Sequence, residues 1–320
     1  MAVRIGFIGT GGIANHHLNL LPNIDRAHLV AFSDVVEEKA NAAAERFGGT
    51  AYTDFREMLQ REELDAVYVC VPPFAHGDAE MAVIEHGLHL FVEKPLATVL
   101  SVAENISSAV DASGIIACVG YNWRHQDTTD RALELLKGRR PALGIGYWIG
   151  GAPGVPWWRV KAQSGGQIVE QTTHVFDTAR YLMGEVTSVY AAGSTGLMDD
   201  MPNYDVEDAS TVSLTFESGA VASIVSGCVA DQGYGTEMQV ITRGLTIKLG
   251  ANLTVEENGK TTTYKGSRNP YQFESELFLQ AVESGDRSKL RATYADGVKT
   301  LALTLAANES IRTGDVVKMA

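Results

Sequence analysis

The stretch Val3-Arg4-Ile5-Gly6-Phe7-Ile8-Gly9-Thr10-Gly11-Gly12-Ile13-Ala14 decides the fold. Residues 3–8 are mostly apolar on both faces of an extended chain, as a strand covered on both sides of a parallel sheet must be. Gly-x-Gly-x-x-Ala follows at 9–14, and a helical period runs from Ile13 to Leu20. Strand, glycine turn and helix in this order make a phosphate cradle running through Gly9, Thr10, Gly11, Gly12 and Ile13. Gly9 permits the tight turn, Gly11 lets the backbone approach a pyrophosphate, and Ala14 keeps the helix close to the sheet. The helix N-terminus adds free N–H groups and partial positive charge. Asp34 ends the second apolar run, about 20 residues past Ala14. A carboxylate there binds the two hydroxyls of an adenosine ribose and repels a 2′-phosphate, so the pattern points to NAD rather than NADP.

Working outward, short apolar runs at Val3–Ile8, His28–Ser33, Ala66–Val71, Leu88–Val92 and Ile115–Val119 alternate with helical periods at 13–20, 37–47, 75–86 and 100–113. Such alternation predicts a doubly wound α/β domain with a parallel sheet. The texture changes at about Gly144. Thr211–Phe216, Val221–Cys228, Glu237–Thr242 and Leu245–Leu249 alternate as antiparallel strands do, with turns at Glu217-Ser218-Gly219, Arg243-Gly244 and Glu257-Asn258-Gly259. One helix is expected within this region, from Gly166 to Met183, and helices return at 273–283 and 294–313. The reading is a first domain over 1–121 and an α+β domain with one large open sheet over 122–320, whose C-terminal helix can pack back on the first.

Composition bounds the function. Twenty-six Lys and Arg against 39 Asp and Glu give a net charge of −13, which argues against a nucleic-acid surface. No apolar run is long enough to span a membrane, and no secretion signal is evident. Cys70, Cys118 and Cys228 are scattered, with neither disulfide nor zinc spacing, which suits a reducing cytoplasm.

The reacting groups are sought at the C-terminal ends of the parallel strands, where ligands bind in open α/β sheets. Glu93-Lys94-Pro95 follows one strand, and Pro95 biases Lys94 toward an extended conformation that carries its side chain off the sheet edge. Val71-Pro72-Pro73-Phe74-Ala75-His76 follows another. Its stiff turn can line the cofactor groove with Val71, Pro72 and Pro73, and His76 opens the next helix either as a groove residue or as a packing and capping residue. Of the adjacent His16 and His17, one is expected to face the crevice and the other solvent. In the second domain Glu170 and His174 are four apart, on one face of the expected helix. A carboxylate beside an imidazole raises its basicity and fixes its tautomer, which suits acid–base chemistry near neutral pH, although an ordinary surface or core pair has the same spacing. No third ligand recurs nearby, so no metal is expected. Tyr121-Asn122-Trp123-Arg124, Trp157-Trp158-Arg159 and Gln171 are candidate substrate contacts, since aromatic faces stack on apolar C–H surfaces and amides or guanidinium groups make polar contacts. Each Trp is equally well explained by packing.

Taken together, Gly9–Ala14, Val71–His76, Glu93-Lys94-Pro95, and Gly165-Gly166 leading to Glu170 and His174 resemble the Gfo/Idh/MocA oxidoreductases, which include inositol and glucose–fructose dehydrogenases. The resemblance continues through Asn269-Pro270-Tyr271, Glu274–Phe278 and the helix ending at Asn308–Gly314. It implies a Rossmann domain, then an α/β domain with a large, mostly antiparallel sheet whose exposed face makes a dimer or tetramer. It also implies a cis Lys94–Pro95 bond, a catalytic lysine at Lys94, a catalytic histidine at His174, and an acid at Glu170, where the family usually has aspartate. The activity implied is NAD-dependent oxidation of a sugar, polyol or sugar derivative. The alternatives are a glycoside hydrolase acting through transient oxidation, or a non-catalytic NAD-binding regulator.

Overall fold

The computed structural model describes residues 2–230 and 233–319. They form two compact units, Met1–Asn122 with Asn269–Val298, and Trp123–Arg268 with Lys299–Ala320. In the first unit β1 (Val3–Ile8), α1 (Gly12–Leu20), β2 (Ala27–Ser33), α2 (Glu37–Phe47), β3 (Thr50–Tyr52), α3 (Phe55–Arg61), β4 (Ala66–Val69), α4 (Asp78–Glu85), β5 (His89–Val92), α5 (Leu100–Ser113) and β6 (Ala117–Val119) alternate. The sheet order is β3-β2-β1-β4-β5-β6, with every neighbouring pair parallel. This is the doubly wound Rossmann order, and it reverses between β1 and β4. The doubly apolar strands explain the arrangement: Ile5, Phe7, Tyr68 and Phe91 are wholly buried between helical layers. The short strand β3 and helix α3 carry little period of their own and are not foreseen from sequence. The expected helix over 75–86 is a 3₁₀ turn at Pro73–Ala75 followed by α4, with Gly77 between them.

The second unit contains α6 (Asp127–Leu136), β7 (Pro141–Ile149), α7 (Lys161–Ser164), α8 (Gly166–Glu170), α9 (Thr173–Met183), β8 (Val186–Ser194), β9 (Ala209–Phe216), β10 (Val221–Gly227), β11 (Gly235–Thr242), β12 (Leu245–Leu249), β13 (Asn252–Glu257) and β14 (Lys260–Lys265). Then come α10 (Pro270–Ser284), which groups with the first unit, α11 (Tyr294–Thr313) and β15 (Val317–Lys318). The nine-stranded sheet runs β14-β13-β12-β11-β7-β10-β9-β8-β15 and is antiparallel except between β7 and β10. Strict alternation in β9 buries Val212, Leu214 and Phe216 beneath the helices and exposes Thr211, Ser213 and Thr215. Core residues of α9, Val175, Phe176 and Ala179, join that buried face.

One expectation fails here. The helix over 166–183 is broken into α8 and α9. The amide of Thr172 reaches back five residues to the Gln167 carbonyl at 2.9 Å, and its hydroxyl meets Ser226 Oγ at 2.8 Å. Two consecutive β-branched residues, Thr172 and Thr173, sit at the break, where the polypeptide widens into a π-type turn. Among the described residues, no helix is long and apolar enough to cross a membrane. Cys70, Cys118 and Cys228 are all buried, and none of them is in a disulfide.

Candidate functional site

The first unit gathers its candidate residues at the C-terminal edge of the parallel sheet. Gly9 has φ +86°, and a Cβ there would stand 2.4 Å from the Cys70 carbonyl oxygen, so the β1–α1 turn requires glycine. Gly11 is the N-cap of α1, and no side chain caps it. A Cβ built on Gly11 or Gly12 meets nothing within 4 Å. An uncapped helix N-terminus beside open space of this kind fits a dinucleotide pyrophosphate. Ile13 is partly buried in the same turn.

Asp34 lies just past β2. Its Oδ2 accepts hydrogen bonds from Thr10 N at 2.9 Å and Thr10 Oγ1 at 3.0 Å, while Oδ1 accepts from Val36 N at 2.9 Å. The carboxylate therefore fixes the glycine turn from one side and remains partly exposed on the other. Val35 beside it is 91% exposed, and no cation stands at 35 or 36 to meet a 2′-phosphate.

Val71 and Pro72 are half-buried and Pro73 is buried, in the turn after β4. His76 is held by Glu80: Nδ1 contacts Glu80 Oε1, and the other Glu80 oxygen accepts from Gly77 N at 2.7 Å. Both side chains are fully buried. This places His76 in the capping arrangement at the start of α4. Lys94 follows β5, half-buried, with a cis bond to Pro95. Glu93 is buried, and its Oε1 lies 2.7 Å from His17 Nε2. His17 is thus an interior residue, while His16 is exposed, set edge-on to Tyr271. Partial desolvation of its ring nonetheless shifts His16 below the usual imidazole range, with the His17 charge adding to it. Burial, then the charges of Glu93 and Glu274, push the Tyr271 phenol up to about 12, and Tyr271 is hydrogen-bonded to Asn122. Tyr121 and Asn122 are buried, and Asn122 Oδ1 has no partner among the described residues.

In the second unit the break between α8 and α9 separates Glu170 from His174, so they do not share a continuous helical face. Glu170 Oε2 accepts from Trp158 Nε1 at 3.0 Å. Trp158 is wholly buried and Trp157 partly so, both against the small cluster of Val206 and Cys228. His174 is 5% exposed and lies nearly parallel to Trp123 and Trp148, with centroids 6.0 and 5.9 Å away. Those two indoles are themselves 6.2 Å apart. Three rings piled one on another would put the outer pair about 7 Å apart. All three separations are shorter, so the rings form a terrace at most two layers deep. Gln171 Oε1 is buried without a partner among the described residues.

Arg124 is 4% exposed. Its Nε and Nη2 donate to the two oxygens of Asp177 at 2.7 and 2.6 Å, and its guanidinium lies over Tyr181. Thr300 Oγ1 adds a third bond to Asp177 at 2.9 Å and accepts from Arg180 Nη1 at 2.6 Å. The structure thus directs Arg124 into a buried ion pair beneath α9. Sequence reasoning missed Trp148, Asp177 and the packing of His17 on Glu93. Only Asp177 carried a local signal, three residues from His174 on the same helix.

A family model described as "Oxidoreductase family, NAD-binding Rossmann fold" matches residues 3–121, and one described as "GFO/IDH/MocA C-terminal domain" matches residues 145–247. The chain is 30% identical to the myo-inositol 2-dehydrogenase of Thermotoga maritima, over 99% of this chain and 98% of that protein. The chain belongs to the Gfo/Idh/MocA oxidoreductase family. A second relative in it is the scyllo-inositol 2-dehydrogenase (NAD(+)) of Bacillus subtilis, 29% identical over 99% of this chain and 96% of the relative. The WlbA dehydrogenase of Bordetella pertussis, solved with NADH and UDP-GlcNAcA, shares the fold, with a TM-score of 0.88 at 22% identity over 100% of this chain and 99% of that one. Membership makes this protein an oxidoreductase of the dehydrogenase type with a NAD-binding Rossmann domain.

Proposed function

We propose that the protein is a dehydrogenase of a sugar, polyol or sugar derivative, in which Lys94 and His174 both meet the reacting oxygen. The observation that carries this reading is the position of Lys94 on the same sheet edge as the NAD cradle, one strand removed from the β1/β4 reversal. The relatives named for inositol oxidation support the substrate class.

Gly9 to Ile13 and Asp34 hold the dinucleotide, which when bound supplies the hydride acceptor or donor. His174 takes the proton from the substrate hydroxyl, and its place in the aromatic terrace restricts ring rotation. The Lys94 ammonium stabilises negative charge on that oxygen. Glu170, oriented by Trp158, binds an adjacent hydroxyl or steers His174. Asn122 and Gln171 offer buried acceptors to further hydroxyls, and Trp123 offers an aromatic edge or face to C–H surface.

The test is a panel of sugars, polyols and anhydrosugars with NAD and NADP, followed by NADH absorbance. Lys94→Ala is expected to cut turnover by about 100-fold or more while leaving NADH affinity within a few-fold. Activity retained in that variant removes the assigned role. Release of free sugar from a glycoside without net reduction identifies a hydrolase instead.

A further inference from the structure

Behind the main chain of Lys94 lies a buried cluster that the acid–base reading does not use. His17 on α1, Glu93 at the end of β5 and Glu274 on α10 bring a ring nitrogen and two carboxylate oxygens within 4.8 Å of one another. His17 and Glu274 are 0% exposed and Glu93 is 3% exposed. Two donors on one tetrahedral ion, each at about 2.0–2.2 Å, stand about 3.3–3.6 Å apart. His17 Nε2 and Glu93 Oε1 stand at 2.7 Å, a hydrogen-bond separation with a proton between them. The other Glu93 oxygen accepts from Lys94 N at 3.1 Å. Gly120 abuts the carboxylate, and a Cβ there would lie 2.8 Å from Oε1, so the group is confined on that side too. Burial, then the Glu93 charge, push the Glu274 carboxyl well above its usual range. One carboxylate thus links α1, whose N-terminus is the phosphate cradle, to the backbone of the reacting lysine.

We propose that Glu93 is a positioning residue that couples the seating of the dinucleotide on α1 to the placement of Lys94, with His17 as its anchor. This rests on the role given to Lys94 above. Glu93→Gln keeps the volume, but its single amide oxygen cannot accept from both His17 and Lys94 in the present geometry. Each of Glu93→Gln and His17→Ala is expected to lower kcat by about 10–100-fold, the effect of one charge-assisted hydrogen bond, and to weaken NADH binding several-fold. Because both cut the same link, the double variant is expected to be no worse than the worse single one. His17→Gln, which retains an N–H donor at similar reach, is expected to recover most of kcat, and it carries the comparison if His17→Ala does not fold. Losses that multiply in the double variant overturn the proposal. So does a fall in melting temperature with kcat per folded enzyme and NADH affinity unchanged. If the native protein turns over no sugar or polyol, the preceding reading fails by itself. NADH fluorescence titration of the same variants then decides the link: weaker binding that does not multiply supports it, and unchanged binding rejects it.

Discussion

Removing the Arg124 guanidinium tests whether it serves stability or substrate binding. Its side chain is 4% exposed and that of Asp177 1%. Arg124→Leu deletes two charge-assisted bonds of 2.7 and 2.6 Å and leaves the Asp177 carboxylate buried with the Thr300 hydroxyl still donating to it. Stranding one member of a buried pair costs about 3–5 kcal/mol. With a urea dependence of about 3 kcal/mol per molar, the unfolding midpoint falls by roughly 1–2 M. Converting both partners, Arg124→Leu with Asp177→Leu, removes the stranded charge and is expected to restore most of the loss. Urea titration followed by tryptophan fluorescence reads both, since Trp123 and Trp148 lie in the same unit. A single variant whose midpoint stays within about 0.3 M of the native value, while its sugar KM rises, would refute the reasoning and return Arg124 to the substrate.

Three further outcomes follow from the geometry. Asp34→Ala removes the carboxylate proposed to bind the ribose and its bonds to the Thr10 turn, so NADH affinity should fall about 10–100-fold and the preference for NAD over NADP should shrink; unchanged selectivity in cofactor titrations dissociates Asp34 from the ribose. Gly9→Ala forces a Cβ to 2.4 Å from a backbone oxygen in the left-handed region, at a cost of at least about 1–2 kcal/mol, and should lower both melting temperature and NADH affinity. Glu274 has a folded pKa raised above its ordinary 4.5, so its stabilising share is full below that value and is lost as pH rises toward the folded pKa. The stability of Glu274→Gln relative to the native protein should accordingly rise with pH above 4.5, and a flat difference across pH 4–8 would contradict it.

The sequence by itself determined the β–α alternation, the glycine turn, Asp34 and the placement of Lys94 at a strand end. The alternation, the turn and Lys94 are written in spacings of two to four residues and in which conformations a residue permits, and Asp34 in its distance of about 20 residues from the turn, so a linear reading reaches them. It also marked His174, though not its surroundings. The tertiary structure decided which side chains meet across long separations. Glu93 takes His17, 76 residues away, because α1 returns over the sheet beside β5, and Arg124 takes Asp177, 53 residues on. Trp148 carries no signal of its own in the sequence; β7 brings it beside His174. The break at Thr172 depended on a hydroxyl partner in β10 that no local period encodes. Local order follows from neighbours along the chain, whereas the partner of a buried polar group is chosen by sheet order and packing, which exist only once the chain has folded.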